Sequence, residues 1–193
     1  MTILQPALEA AHLIDRLDRL ARSGESTGDL NPAQWEALRF IARANRFSRT
    51  PAALAEYLGS TRGTVSQTLI ALEQKGHIAR QPSERDRRSV VLALTVLGER
   101  RLRDDPILSV ATDLAAVAPE KLDILVETLR DALHATISRN GGRAFGACHT
   151  CRHFRRGVGS ARQPHHCALL DEPLTEADSR AVCVEQEGAG MAD

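Results

Sequence analysis

Two short apolar repeats divided by a glycine constrain this chain more than any other feature. Thr50-Pro51 opens a helix, with a hydroxyl cap followed by proline at the first helical position. Leu54 and Leu58 follow at i, i+4, and Gly59 ends the run. A second run places Val65, Leu69 and Leu72 at i, i+4 and i+7 and stops at Gly76. Ser60 is the expected cap of this second helix, which should run from about Thr61 to Lys75. Neither helix is long enough to be stable alone. Their five apolar side chains can close one small core, and two short helices joined by a tight glycine turn form the helix-turn-helix pattern.

That packing leaves Ser60, Thr61, Arg62, Thr64, Ser66 and Gln67 at the start of the second helix, mostly turned away from the core. These side chains are short or forked and rich in hydrogen-bonding groups. A helix laid in the major groove needs such groups near its N-terminus to reach base edges. The free N–H groups of that terminus also suit a phosphate. A polar face alone fits an ordinary solvated surface equally well. The next segment shifts the balance. HIARQ and VVLALT are β-prone runs joined by PSERDRRS, which reads as a hairpin with a charged tip. Arg85, Arg87 and Arg88 in that tip can meet phosphates or a narrow minor groove. Asp86 repels phosphate, and its expected role is to shape the tip by pairing with an arginine.

The distribution of charge agrees. Residues 31–103 carry 13 basic and 6 acidic residues, a balance of +7, against 12 and 19, or −7, in the rest of a chain whose net charge is zero. A basic middle between acidic flanks points to a polyanionic partner. Lys75 and Lys121 are the only lysines, and arginine favours bidentate contacts to phosphate and guanine. A G·C-rich genome also favours arginine, but it does not explain the clustering. Aromatic residues make up only 3% of the chain, which argues against stacking on unpaired bases.

Amphipathic helices flank this middle. The first should run from about Gln5 to Arg22, with Leu13, Leu17 and Leu20 on one face. Pro6, Glu9 and Asp15 interrupt it too often for a secretory segment. Asn31-Pro32 with Gln34 predicts a capped helix that buries Trp35, Leu38 and Ile41 or Ala42. Thr95 should cap another helix, with Leu97 and Leu102 inside, extending to about Leu114. Pro119 opens a last long helix with a stripe of Leu122, Leu125, Val126, Leu129, Leu133 and Ile137. No membrane span is visible, and a cytoplasmic protein is expected.

The stretch LAEYLGSTRGTVSQTLIALEQKGHIARQPSERDRRSVVLALTVLGERRL resembles the winged helix-turn-helix of the MarR family of bacterial regulators. Asp86-Arg87-Arg88, followed by Val91, Leu94-Thr95 and Gly98, is the most specific part of the match, and the resemblance extends over about Leu4 to Arg139. It implies a homodimer with intertwined first and last helices, a recognition helix in each of two successive major grooves, and wings in the neighbouring minor grooves. It also implies a transcription regulator rather than an enzyme, binding a double-stranded DNA operator. Small-molecule effectors of the family are usually small aromatic acids or oxidants held between the dimer helices and the DNA-binding lobe. The chain departs from the family at Gln67 and near Ala71, where a basic residue is common, so it should read a different operator or bind phosphate less strongly. The region before the tail has no cysteine, which disfavours a peroxide-sensing thiol there.

Past Ala144 the helical periodicity stops. Cys148, Cys151, Cys167 and Cys183 form a C-x2-C-x15-C-x15-C pattern, with His149, His153, His165 and His166 among them. Four thiolates can complete a tetrahedral Zn²⁺ site. An iron–sulfur cluster is the alternative, since four Cys ligands suit one and no second C-x-x-C is needed. A thiol/disulfide switch, or no ligand at all, is a third reading, and the single C-x-x-C weakens the zinc-ribbon comparison. So short a segment has too little core to fold unaided, and metal binding or docking on the main domain could supply the deficit.

The expected fold class is mainly α with a small β wing: a winged helix-turn-helix with long N- and C-terminal dimerisation helices. Residues 1–30 form the N-terminal dimerisation helix, 31–95 the DNA-binding lobe, 96–140 the C-terminal dimerisation helices and 144–187 the Cys/His-rich metal-binding tail. The competing functions are a metal- or redox-dependent thiol protein using the C-x-x-C, and a protein-interaction module on a winged-helix scaffold. A thiol oxidoreductase would need a βαβ setting around the C-x-x-C, and the sequence shows none.

Overall fold

The structure, a computed structural model, describes residues 3–25, 28–83 and 89–188. A long helix α1 (Leu4–Glu25) leads into a lobe built from α2 (Pro32–Arg43), α3 (Pro51–Tyr57), α4 (Arg62–Gln74) and the antiparallel hairpin β1 (Ile78–Pro82) and β2 (Val90–Leu94). Then come α5 (Val96–Leu102), α6 (Ile107–Val117) and α7 (Leu122–Arg139), the last entered through a 3-10 turn at Pro119–Lys121. The fold is the mainly helical winged helix expected.

Local chemistry sets the starts of the lobe helices. Asn31 accepts from the Gln34 amide at 2.9 Å, and the Gln34 side chain accepts from the Asn31 amide at 3.2 Å, a reciprocal capping box. Thr50 and Thr95 cap α3 and α5 through the amides of Ala53 and Gly98, each at 3.1 Å. Lys75, at the end of α4, reaches back to the Gln34 side chain at 2.9 Å and to the Asp29 carbonyl, which ties α4 to the start of α2. Trp35, Leu38, Ile41, Leu54, Val65, Leu69, Leu72, Ile78 and Leu92 make one buried core. Ile41 takes the inner position and Ala42 is exposed.

Three local expectations change. The cap of α4 is Thr61, not Ser60: the Thr61 hydroxyl accepts from the Thr64 amide at 3.1 Å, while the Ser60 amide closes the preceding turn on the Ala55 carbonyl at 2.9 Å. The helix after Thr95 does not run on to Leu114. It breaks after Leu102, because Pro106 has no N–H to donate, and α6 starts afresh. Leu97 is 48% exposed rather than inside. Gly98 is the residue of α5 that faces the lobe, so close that an added Cβ would stand 2.1 Å from the His77 carbonyl oxygen.

The flanking helices present apolar faces outward. Leu8, Leu13, Leu17 and Leu20 of α1, and Ile124, Val126, Leu129 and Leu133 of α7, are exposed. No residue of α6 or α7 is buried.

Behind α7 the chain makes a small module of very short elements: β3 (Gly146–Ala147), β4 (Phe154–Arg155), β5 (His165–Cys167), β6 (Glu172–Leu174), α8 (Glu176–Arg180) and β7 (Val182–Cys183). β3 pairs with β7, and β4, β5 and β6 form a three-stranded antiparallel sheet. The module docks on the lobe. Phe145 meets Tyr57 edge-on with ring centroids 5.2 Å apart, and Tyr57 in turn packs on Phe40 at 4.8 Å. The Asn45 amide donates to the Val182 carbonyl at 2.8 Å, and the Val184 amide donates to the Ser48 hydroxyl at 2.9 Å.

Candidate nucleic-acid interface and cysteine-rich tail

Burial divides α4 lengthwise. Val65, Leu69 and Leu72 are in the core, which fixes the rotation of the helix. Thr61, Arg62, Thr64 and Gln67 are therefore exposed on the other side, with Ser66 and Ser60 half-buried at its edge. The Thr61 and Thr64 hydroxyls lie 2.9 Å apart and are occupied with each other and with the cap. Arg62 and Gln67 are the longest side chains of this face that project from the first turns. Among the described residues Arg62 makes no ion pair, so its guanidinium is available to an incoming anion.

The hairpin continues from this helix. Its register runs from Ile78↔Leu94 to Pro82↔Val90, and the Ser83 amide adds a bond to the Ser89 carbonyl at 2.9 Å. The stem is thus paired up to the base of its tip. Arg85, Asp86, Arg87 and Arg88 lie outside the described residues. Arg80, on the stem, pairs with Glu73 at 3.3 Å.

An open cavity of about 610 Å³ separates α7 from the lobe. Val126, Leu129, Leu133 and Phe145 give it apolar walls, and Arg43 and Arg180 also line it. The tail closes one side of this space, a feature that helical periodicity does not encode.

In the tail, Cys148 and Cys183 are buried and Cys151 and Cys167 half-buried. Cys148 and Cys183 are hydrogen-bonded to each other. That bond, followed by burial, pushes the Cys148 thiol up. Cys183 goes the other way: the bond from Cys148 draws it down against burial, helped by Asn45, the Glu185 backbone and Ser48. Cys167 packs beside the pair. Among the described residues, no three His, Cys, Asp or Glu side chains already stand as a metal-ligand set. The four tail histidines are engaged elsewhere. His149 bonds the Ser179 carbonyl at 3.0 Å, and His165 holds Glu176 at 2.9 Å and the Gly157 amide at 3.3 Å. His166 pairs with Asp171 at 3.2 Å and His153 with Glu187 at 3.5 Å. The sequence reading missed Asn45 and Ser48, two lobe residues that reach the cysteine pair. Their only sequence signal is polarity in a short interhelical connection.

Among the described residues no helix is long and apolar enough to cross a membrane. Residues 28–89 match the MarR family. No curated protein matches the chain by sequence. Similar solved structures include the transcriptional regulator BldR from Sulfolobus solfataricus, at 19% identity and TM-score 0.54, with 70% of this chain and 99% of BldR covered. A MarR family protein from Bacillus stearothermophilus is similar at 19% identity and TM-score 0.54, covering 72% of this chain and 95% of its own. CouR from Rhodococcus jostii RHA1, solved bound to p-coumaroyl-CoA, is similar at 21% identity and TM-score 0.53, over 65% and 87%. The chain thus has the fold of the MarR-family transcriptional regulators, with the family's sequence pattern in residues 28–89 and a cysteine-rich module added behind its last long helix.

Proposed function

We propose that this protein is a cytoplasmic regulator that binds a double-stranded DNA operator as a homodimer and is not an enzyme. One observation carries the reading. The core locks α4 so that Arg62, Thr64 and Gln67 face outward from its first turns, beside a paired hairpin whose tip sequence holds Arg85, Arg87 and Arg88. A second copy would cover the exposed apolar faces of α1 and α7 and set two recognition helices about one helical turn of DNA apart, roughly 34 Å. The cavity between α7 and the lobe, with apolar walls and Arg43, Arg130 and Arg180 on its lining, suits a small organic anion as effector. Occupancy there would alter the angle between dimer arm and lobe.

Titration of labelled operator fragments selected from genomic DNA tests the reading. Arg62→Ala should weaken binding about 5- to 150-fold, the span of one good base contact, and should leave the circular dichroism unchanged. Arg88→Ala should weaken binding and lower the salt slope by about one. Parental affinity in both variants would overturn the proposal.

A further inference from the structure

The tail poses a stability problem that the lobe does not. Its strands are two or three residues long, and its own buried core is Leu174 with Cys148 and Cys183. Burial of one leucine does not offset the backbone entropy lost in ordering a segment of this length. Docking of Phe145 and Val184 onto the lobe core offsets part of this. Modules this thin ordinarily also carry a covalent or metal staple.

The cysteines sit where the short elements meet. Cys148 opens the turn behind β3, and Cys151 closes it, its amide donating to the Cys148 carbonyl at 3.0 Å. Cys167 ends β5 opposite Phe154, and Cys183 ends β7 opposite Gly146. Hydrogen-bond donors already aim at two of these sulfurs. The Asn45 side-chain amide reaches Cys148 Sγ at 3.3 Å. Cys183 is approached by Asn45, the Glu185 backbone and the Ser48 hydroxyl. The Ser48 oxygen accepts from the amide of Val184, the residue that follows Cys183. Donors arranged around sulfur are the outer shell that a bound thiolate centre requires. The histidines, each held by another partner, leave the cysteines as the ligand set.

We propose that Cys148, Cys151, Cys167 and Cys183 bind one thiophilic metal centre, with Asn45 and Ser48 of the winged-helix lobe as its outer hydrogen-bond partners. Cys148 and Cys183 form one half of the set; Cys167 packs beside them and Cys151 stands one turn from Cys148. The four thiols lose their protons on binding. A single Zn²⁺ and an iron–sulfur cluster share this ligation chemistry. Either one makes the centre a staple between the tail and the α2–α3 connection.

The test uses the full chain purified without oxygen, and no readout involves DNA. Metal and sulfide analysis should give one zinc per chain in a colourless sample, or iron with matching sulfide in a brown one. The metal-depleted chain, titrated with Co²⁺, should develop a thiolate-to-cobalt charge-transfer band. Cys151→Ser and Cys167→Ser should each diminish it. Asn45→Ala should keep the band and weaken metal affinity about 10- to 100-fold. A chain with neither native metal nor a Co²⁺ band overturns the proposal, as does a Cys148–Cys183 disulfide in the anaerobic protein. Undiminished metal in both serine variants would overturn it too, and parental affinity in Asn45→Ala would remove the lobe from the site. Should the serine variants fail to fold, metal analysis and the Co²⁺ titration of the parent chain still decide.

Discussion

Arg39 on α2 and Asp105 just before α6 join the lobe to the C-terminal helices, and their pairing yields a quantitative expectation. Arg39 Nε donates to Asp105 Oδ2 at 2.8 Å and Nη2 to Oδ1 at 2.5 Å, with the side chains 19% and 5% exposed. Asp105 Oδ1 also accepts from the Ile107 amide at 3.0 Å, in the first turn of α6. Asp105→Asn keeps an oxygen for that amide but loses the charge and one acceptor of the pair. Breaking a buried pair costs about 3–5 kcal/mol. Arg39 is near enough to solvent to swing outward, so about 2 kcal/mol is expected for the asparagine variant. Asp105→Ala also removes the hydrogen bond to the Ile107 amide, worth about 1 kcal/mol, for a total of about 3 kcal/mol. With a urea slope of about 2 kcal/mol/M, the midpoints should fall by about 1 M and 1.5 M. Trp35 is the chain's single tryptophan, is buried, and lies 5.7 Å from the Arg39 guanidinium, so its fluorescence reports the transition locally. An Arg39→Met background should erase most of the difference between parent and Asp105→Asn. The reasoning fails if Asp105→Asn lies within about 0.5 kcal/mol of the parent, or if Asp105→Ala is no worse than Asp105→Asn.

Gly98→Ala drives a methyl into the His77 carbonyl oxygen, 2.1 Å away. A loss of about 3 kcal/mol is expected in thermal unfolding, and an unchanged melting temperature would contradict the close approach. Leu17 and Leu133 are 41% and 55% exposed. Leu17→Asp or Leu133→Glu should raise the dimer dissociation constant by about 100-fold or more in sedimentation equilibrium, with secondary structure retained. Hydrogen bonds from His165 and then Arg180 hold the Glu176 carboxyl below the usual range. Its contribution is therefore complete above the unfolded-chain value of about 4.3 and is lost as pH falls through the lower folded value. Side-chain carbonyl NMR should show Glu176 titrating below the other glutamates, and His165→Gln should move it upward.

What could be read from the sequence was what is decided within a few residues. The caps at Asn31, Thr50 and Thr95 each depend on an amide three positions on, and the structure makes all three bonds. The apolar spacing of Val65, Leu69 and Leu72 determines which side of α4 faces out, because no other rotation buries all three. Ser60 and Thr61 are adjacent hydroxyls of similar capping strength, and local energy did not separate them. Pro106, which has no N–H to donate, is a stop signal that the sequence itself displays, and the helix capped by Thr95 ends before it. Leu97 was misplaced because the orientation of α5 is set by the approach of Gly98 to His77, twenty-one positions earlier. The docking of the tail was beyond reach. It depends on Asn45 meeting Cys148 and Ser48 meeting Val184, pairs 103 and 136 residues apart that no period links.

The connection between α2 and α3 is where these long-range contacts converge, and that gives the tail mechanical access to the wing and the helix-turn-helix. Asn45 and Ser48 hold the cysteine pair. Arg46 reaches Asp178 at 2.9 Å and the Pro173 carbonyl at 2.6 Å while lying 4.5 Å over the Phe47 ring. From the other side, the Arg49 carbonyl accepts from the Leu92 amide of the wing at 2.7 Å, and Thr50 starts α3. Six consecutive residues, 45–50, therefore touch the tail, the wing strand and the first helix of the helix-turn-helix. Close packing transmits displacements of this kind rather than absorbing them. A change in the cysteine site that shifted Asn45 would move the base of the wing and the start of α3 together, whereas a change felt through Phe145 alone would reach only the back of the core.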